Sequence, residues 1–161
     1  MADSAIPGFL VVVSCGKEKI WKRHPNAGPM AARNAYTSPV FKRSRRYAEH
    51  FAEAWLILSA KYGLIEPEFC IPEDYNRSFY SPDAIATAAL RQQVAAKGLE
   101  RFTTVGVLGS DVYWQRVREA FEGTAMQLRH INGNVGFPPT FLRLVGTLIA
   151  ENTPFREDLQ A

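Results

Sequence analysis

The stretch Trp55-Leu-Ile-Leu-Ser59-Ala-Lys61-Tyr62-Gly63 sets a hydroxyl, an ammonium and a phenol directly after a short apolar run. Such a run can be buried on both faces, as a central parallel strand is. Groups just past its carboxyl end then stand at the edge where open α/β sheets bind ligands. Three further segments repeat the arrangement. Ser14, Cys15, Gly16, Lys17 and Lys19 follow the β-branched run of residues 8–13, and small residues with two lysines can cradle an anion between backbone N–H groups and ammonium heads. The segment lacks the full P-loop pattern. Gly109, Ser110 and Asp111 follow residues 103–108, and Asn132 opens a glycine-containing turn, 132–136, after residues 125–131. Asp74 lies beyond a proline-punctuated stretch and is the other carboxylate able to stabilise positive charge or align water.

The elements that must position these groups are legible from periodicity and punctuation. Strands are expected at 8–13, 55–58, 103–108 and 125–131. Residues 20–35, with two prolines and a glycine, read as a basic loop with one helical turn near 30–34. Ser38 as N-cap and Pro39 at the first helical position open a helix to about residue 54, with Phe41, Ser44, Ala48, Phe51 and Ala52 inward. Residues 66–72, with two prolines, cannot be a central strand. Ser81-Pro-Asp83 repeats the helix-start signature for a helix to Lys97 closed by Gly98, with Ile85, Ala88, Ala89 and Leu90 inward. Further helices are expected over 112–122 and over 140–151, the latter N-capped by Thr140 with Phe141, Leu144, Val145 and Leu148 inward. Alternation of strands and helices predicts a single α/β domain over 1–161 with three layers. Its central sheet would be four-stranded and mainly parallel, with helices on both faces and every strand's carboxyl end on one edge. Residues 1–7 and the tail after Pro154 are expected to fray.

The composition is that of a globular chain: 161 residues, 47% hydrophobic and 22% charged, with no apolar run long enough to span a membrane. The opening residues have no basic region before an apolar run, so a cytoplasmic location is expected. Cys15 and Cys70 exclude a four-cysteine zinc site, and His24, His50 and His130 lack metal-ligand spacing, so neither metal nor cofactor is expected. Charge is uneven. Residues 17–46 hold nine basic side chains against one acid, a net +8, which leaves −5 for the remainder of a chain whose net charge is +3. One basic segment on an acidic body is the pattern of a protein that meets a polyanion on one face.

The segments Ser14-Cys-Gly-Lys-Glu-Lys19, Tyr36-Thr37-Ser38-Pro-Val-Phe41, Leu58-Ser-Ala-Lys-Tyr-Gly-Leu64 and Asp74-Tyr75 resemble the successive motifs of a bacterial and phage domain family of uncharacterised function. That family is distantly similar to the peroxide-stress DNA-binding proteins and to the catalytic domain of archaeosine synthase, a group with a uracil-DNA-glycosylase-like fold. The resemblance covers residues 10–76 and implies DNA binding or the handling of a nucleic-acid base. Here Lys19 is followed by Ile20-Trp21 instead of the Lys-Pro-Tyr continuation of archaeosine synthase, which speaks against lysine transfer.

Three functions remain open from the sequence. The first is an enzyme acting at an N-glycosidic bond or on a modified base, in which Asp74 or Asp111 stabilises an oxocarbenium-like state. In that reading Asn76, Ser14 or Asn132 would bond the base edge, Tyr36 or Tyr62 would stack on it, and Lys17, Lys19 and Lys61 would hold phosphates. Cys15, Gly16, Thr37, Ser38, Ser59, Tyr75, Gly109 and Ser110 complete the expected binding surface. The second is a non-catalytic binding protein in stress response or phage defence, contacting the backbone of DNA more readily than RNA. Its contacts would be Lys22, Arg23, Lys42, Arg43, Arg45 and Arg46, with Trp21 stacking on a base. The third is a small nucleotide or sugar-phosphate ligand at the strand ends.

Overall fold

A computed structural model describes residues 5–133, 135 and 138–156. Its central element is β1 (Ile6–Ser14), flanked by β3 (Ala52–Ser59) on one side and β6 (Thr104–Leu108) on the other. The sheet runs β4-β3-β1-β6-β7, with β4 at Gly63–Ile65 and β7 at Gln127–His130. Pairings β1–β3, β1–β6 and β6–β7 are parallel, and β4 is antiparallel to β3. The expected four parallel strands are therefore present, with a fifth, antiparallel strand added at the edge. The sequence predicts only a turn at Gly63; the chain doubles back there, with φ +79° at Gly63, and Leu64 pairs with Leu58.

Alternation along β1 builds two cores. Phe9, Val11 and Val13 point to a layer formed by α2 (Pro39–Phe51) and α5 (Pro138–Ala150), whereas Leu10 and Val12 point to a layer formed by α3 (Thr87–Ala96) and α4 (Asp111–Ala120). Successive side chains of a strand face opposite sides of its sheet, so a run that is apolar at every position must be covered twice. Gly106 of β6 carries no side chain because the Phe9 ring and Ile131 occupy that space.

The helix starts divide into one that follows its sequence signature and two that do not. Ser38 Oγ accepts the Phe41 N–H at 3.0 Å and Pro39 is the first helical residue, as the sequence requires. This helix ends at Phe51 instead of near residue 54. Ala52 is already extended and paired with Ile6, so sheet pairing outweighs the helix preference of Ala52-Glu53-Ala54. Tyr47 joins its buried face.

Ser81-Pro82 does not open a helix. The Ser81 hydroxyl accepts the Ser78 N–H at 3.1 Å and the Ser81 N–H donates to Ser78 O at 2.9 Å, so the motif caps backwards onto its own turn, and α3 begins at Thr87. Leu90 and Val94 are its buried residues, and Ala88 is exposed. Thr140 is not an N-cap either, because α5 already begins at Pro138, where a missing N–H costs nothing.

Small elements complete the fold. Residues 20–35 contain a 3₁₀ turn (Ile20–Lys22), the two-residue strand β2 (Met30–Ala31) and the one-turn α1 (Ala32–Ala35). β2 pairs antiparallel with β5 (Cys70–Ile71), away from the main sheet. The segment expected to fray after Pro154 is packed as far as residue 155: Tyr47 Oη donates to Pro154 O at 2.6 Å, and the Phe155 ring lies edge-on to Phe9 at 5.3 Å. At the amino end, Ile6 and Pro7 belong to β1. Asn134 and Gly136 of the expected turn lie outside the described residues. No helix among the described residues is long and apolar enough to cross a membrane.

The Gly63 turn is pinned by Gln93 of α3, whose Nε2 donates to Tyr62 O at 2.9 Å and whose Oε1 accepts the Leu64 N–H at 2.8 Å. A Cβ at residue 63 would collide with that amide in a left-handed backbone. Gly63→Ala is expected to lower unfolding free energy by about 2 kcal/mol, combining backbone strain with loss of the clip. The shift in urea midpoint measures it.

Candidate functional site

The parallel strands deliver four of the expected segments to one edge, and β1 is where the chain changes direction across the sheet. β3 lies on one side of it and β6 on the other, so the carboxyl ends of β1 and β6 flank the switch point where open α/β sheets leave a crevice. Gly109 makes the close approach possible there: a Cβ on it would stand 3.1 Å from Ser14 Cβ and 3.2 Å from Ser14 Oγ. Gly16, with φ +79°, turns the chain after β1 against Ser38. The Thr37 N–H then donates to Glu18 O at 3.0 Å and Lys19 bridges Tyr36, which ties residues 17–19 to the start of α2.

Beneath this edge lies a connected cluster of neutral polar groups. Ser59 Oγ accepts the N–H groups of Lys61 and Tyr62, each at 3.2 Å, which turns the chain after β3. The same oxygen lies 2.8 Å from Tyr75 Oη, and Tyr75 Oη shares a short hydrogen bond with Tyr36 Oη. Tyr113 Oη is 3.5 Å from Cys15 Sγ. Lys19 Nζ sits 4.4 Å from the centre of the Tyr75 ring, and Lys61 Nζ is 5.5 Å from Tyr75 and 5.2 Å from Tyr62. Tyr62 meets Tyr75 edge to face at 5.4 Å.

Burial is the main cause that pushes the Tyr36, Tyr75 and Tyr113 phenols well above their usual range, with the neighbouring Cys15 adding to it. Burial also raises the Cys15 thiol, against the lowering effects of the Tyr113 bond and the Lys19 charge. At neutral pH these groups are protonated. The cluster can therefore donate and accept hydrogen bonds, but it holds neither a thiolate nor a phenolate nucleophile.

Two cavities open beside the cluster. One, of about 430 Å³, lies between residues 18–24 and the start of α2. The other, of about 240 Å³, is lined by Tyr80, Gly109, Ser110, Asp111, Asn132 and the residues next to them. The model of the Family of unknown function (DUF6884) matches residues 10–136. The chain belongs to this family. The DUF6884 match takes in all the segments of the strand-end face. Uncharacterized protein YfjM of Bacillus subtilis (strain 168) is 37% identical over 106 residues, which cover 65% of this chain and 71% of that protein. No solved structure gives a significant match. The resemblance to an uncharacterised bacterial domain family thus holds.

Many expected site residues serve the fold itself. Cys15, Tyr36, Ser59, Gly109 and Asn132 are buried. The Asn132 amide is spent on backbone, with Oδ1 accepting from Gly109 N and Nδ2 donating to Gly109 O and Val135 O, so it fastens two loops and is not free to read a base. Trp21 is also buried, with Nε1 donating to Gly28 O at 2.9 Å, and cannot stack on a ligand as expected. Arg43 donates to Leu142 O at 2.7 Å across the Gly146 face of α5, and Arg45 reaches Glu49, Arg33 O and Asn34. Lys17, Lys22, Arg23, Lys42 and Arg46 are exposed. Thr37, Ser38, Lys61, Tyr62 and Tyr75 are half-buried, as are Ser14 and Gly16, and Asn76 and Ser110 are exposed.

The two carboxylates are held differently. Asp74 is exposed, lines neither cavity, and its Oδ1 accepts the Tyr75 N–H at 2.8 Å. Asp111 begins α4 and lines the smaller cavity. Tyr113 and Tyr80 were not singled out from sequence. Tyr113 carried a usable signal, standing three residues beyond Ser110 where a helix begins at a strand end.

The buried thiol and phenols make stability fall at alkaline pH. Their folded-state values exceed the ordinary 9.0 of a thiol and 10.0 of a phenol, so above those values the unfolded chain releases protons that the folded one keeps. The stabilisation is complete below about pH 8.5 and is lost as pH rises through the folded values. Urea midpoints are expected to hold level from pH 7 to 8.5 and drop between pH 9 and 11. Tyr36→Phe is expected to reduce that drop.

Proposed function

We propose that the protein binds nucleic acid through the carboxyl edge of its sheet. The observation that carries this reading is the pair of ammonium groups, Lys19 and Lys61, set against the Tyr75 and Tyr62 rings at the strand ends. Aromatic faces next to cations suit a base that stacks and a phosphate that needs a counter-charge. Arg23 and Lys42 line a cavity together with Lys19, and with the exposed Lys17, Lys22 and Arg46 they would add backbone contacts insensitive to sequence. A distant similarity of the family's motifs to the peroxide-stress DNA-binding proteins would fit the same assignment.

A second reading adds chemistry at the base. It is favoured by the smaller cavity, whose lining Asp111 and Ser110 share with the exposed Tyr80. A base stacked on Tyr80 would bring its glycosidic bond to a carboxylate able to stabilise an oxocarbenium-like state. Asp74, bonded to its own backbone at the rim, is the alternative carboxylate.

Gel shifts with single- and double-stranded DNA and RNA at increasing salt test the binding reading. Affinity is expected to fall steeply with salt, and Lys61→Met to weaken binding by about 3- to 10-fold with an unchanged melting temperature, because its ammonium holds no hydrogen bond among the described residues. Salt-independent binding, or full affinity in Lys61→Met, would remove the assignment. Mass spectrometry of released bases tests the chemical reading: Asp111→Asn should lower any release by about 10²-fold or more while binding persists.

A further inference from the structure

We infer that the 430 Å³ cavity between residues 18–24 and the start of α2 is a site for a phosphate monoester, taken either as a free nucleotide or as the phosphorylated end of a strand. Its lining includes Lys19, Arg23, His24, Thr37 and Lys42, with Glu18 as the sole carboxylate among the lining residues.

Three of the lining residues carry side-chain charge that meets no counter-charge among the described residues. Elsewhere on the molecule Arg33, Arg45, Arg77, Arg91, Lys97 and Arg116 each pair with a carboxylate. Among the described residues, the side chains of Arg23, His24 and Lys42 make no hydrogen bond or ion pair, although the chain outside residues 17–46 is acidic and has carboxylates to spare. Lys19 is the stronger case. It is 92% buried, since 8% of it is exposed, and among the described residues its ammonium is met by Lys17 O at 3.2 Å and the face of Tyr75. A buried ammonium without an anion is costly, and an anion in the cavity that Lys19 helps to line would relieve that cost. Lys42 sits one turn inside α2, whose first turn holds no acidic residue to offset it. A lysine near a helix N-terminus opposes the helix dipole.

The type of anion follows from the charge count and the volume. Lys19, Arg23 and Lys42 against Glu18 give +2 with His24 neutral. A phosphate monoester carries about −1.5 to −2 near neutral pH, and a diester within a backbone carries a single charge. The volume lies within the range of small-ligand sites, with room for the phosphate and part of the attached sugar. Thr37 supplies a hydroxyl at the same wall. The identity of the attached group, a nucleoside, rests on the nucleic-acid reading; the phosphate site itself does not.

The test measures affinity of the full chain for one oligonucleotide with a terminal phosphate at either end, for the same oligonucleotide with hydroxyl ends, and for a free nucleoside monophosphate. The terminal phosphate is expected to raise affinity by about 10-fold or more. The double variant Arg23→Gln, Lys42→Gln should abolish that increment, so that phosphorylated and hydroxyl-ended strands bind it equally, both weakened by the loss of two backbone contacts. Its melting temperature should match the parent's, because neither side chain makes a hydrogen bond or ion pair among the described residues. Equal affinity for phosphorylated and hydroxyl-ended strands would overturn the monoester site and leave nucleic-acid binding standing. Binding of the free monophosphate alone, lost in the double variant, would uphold the site and overturn the nucleic-acid reading. No binding of any of the three would overturn both.

Discussion

Phe9 to Val13 of β1 are excluded from solvent on both faces of the sheet, and that double burial dictates where everything else goes. A strand without a polar side must be covered by helices above and below and hydrogen-bonded along both edges. The pairings with β3 and β6 meet the second need, and α2 with α5 against α3 with α4 meets the first. Because both neighbours are parallel to β1, Ser14, Ser59 and Gly109 arrive side by side at the same edge. The site is thus a consequence of how the core is closed.

Chemistry at that edge is set by protonation as much as by position. The hydroxyl cluster of Tyr36, Tyr75 and Ser59 is largely buried and neutral, which suits a rigid platform better than a source of nucleophiles. The lysines that touch it set ammonium groups against the Tyr75 and Tyr62 rings. Rigidity comes from groups that lack solvent contact, such as the Asn132 amide clamped across the Gly109 and Val135 backbones. The chemically versatile residues therefore divide between a supporting layer and a contacting one.

Sequence made some of this plain and concealed the rest for identifiable reasons. The strands, the Ser38-Pro39 helix start and the meeting of residues 14–19, 59–62 and 109–111 follow from local signals that tertiary packing leaves intact. Ser81-Pro82 misled because its hydroxyl bonds backwards to Ser78, a choice that propensity does not encode. The end of α2 was overrun because Ala52 is claimed by pairing with Ile6, a contact 46 residues away in the chain. Trp21 and Arg43 looked like surface contacts by residue type alone, yet a carbonyl at Gly28 and another at Leu142 hold them. Three of the cavity's cations were visible as part of a basic segment. Their convergence needed the strap formed by Lys19 against Tyr36, which no periodicity announces.

The central claim is that the carboxyl edge of the sheet is the face that meets a ligand. Amide chemical-shift mapping of the isotope-labelled protein during titration with a short single-stranded oligonucleotide tests it most directly. The account predicts that shifts concentrate in residues 14–24, 36–42, 59–62, 74–76 and 109–113. Shifts concentrated instead at the opposite edge, around Gly8, Glu53 and Thr103, would contradict it.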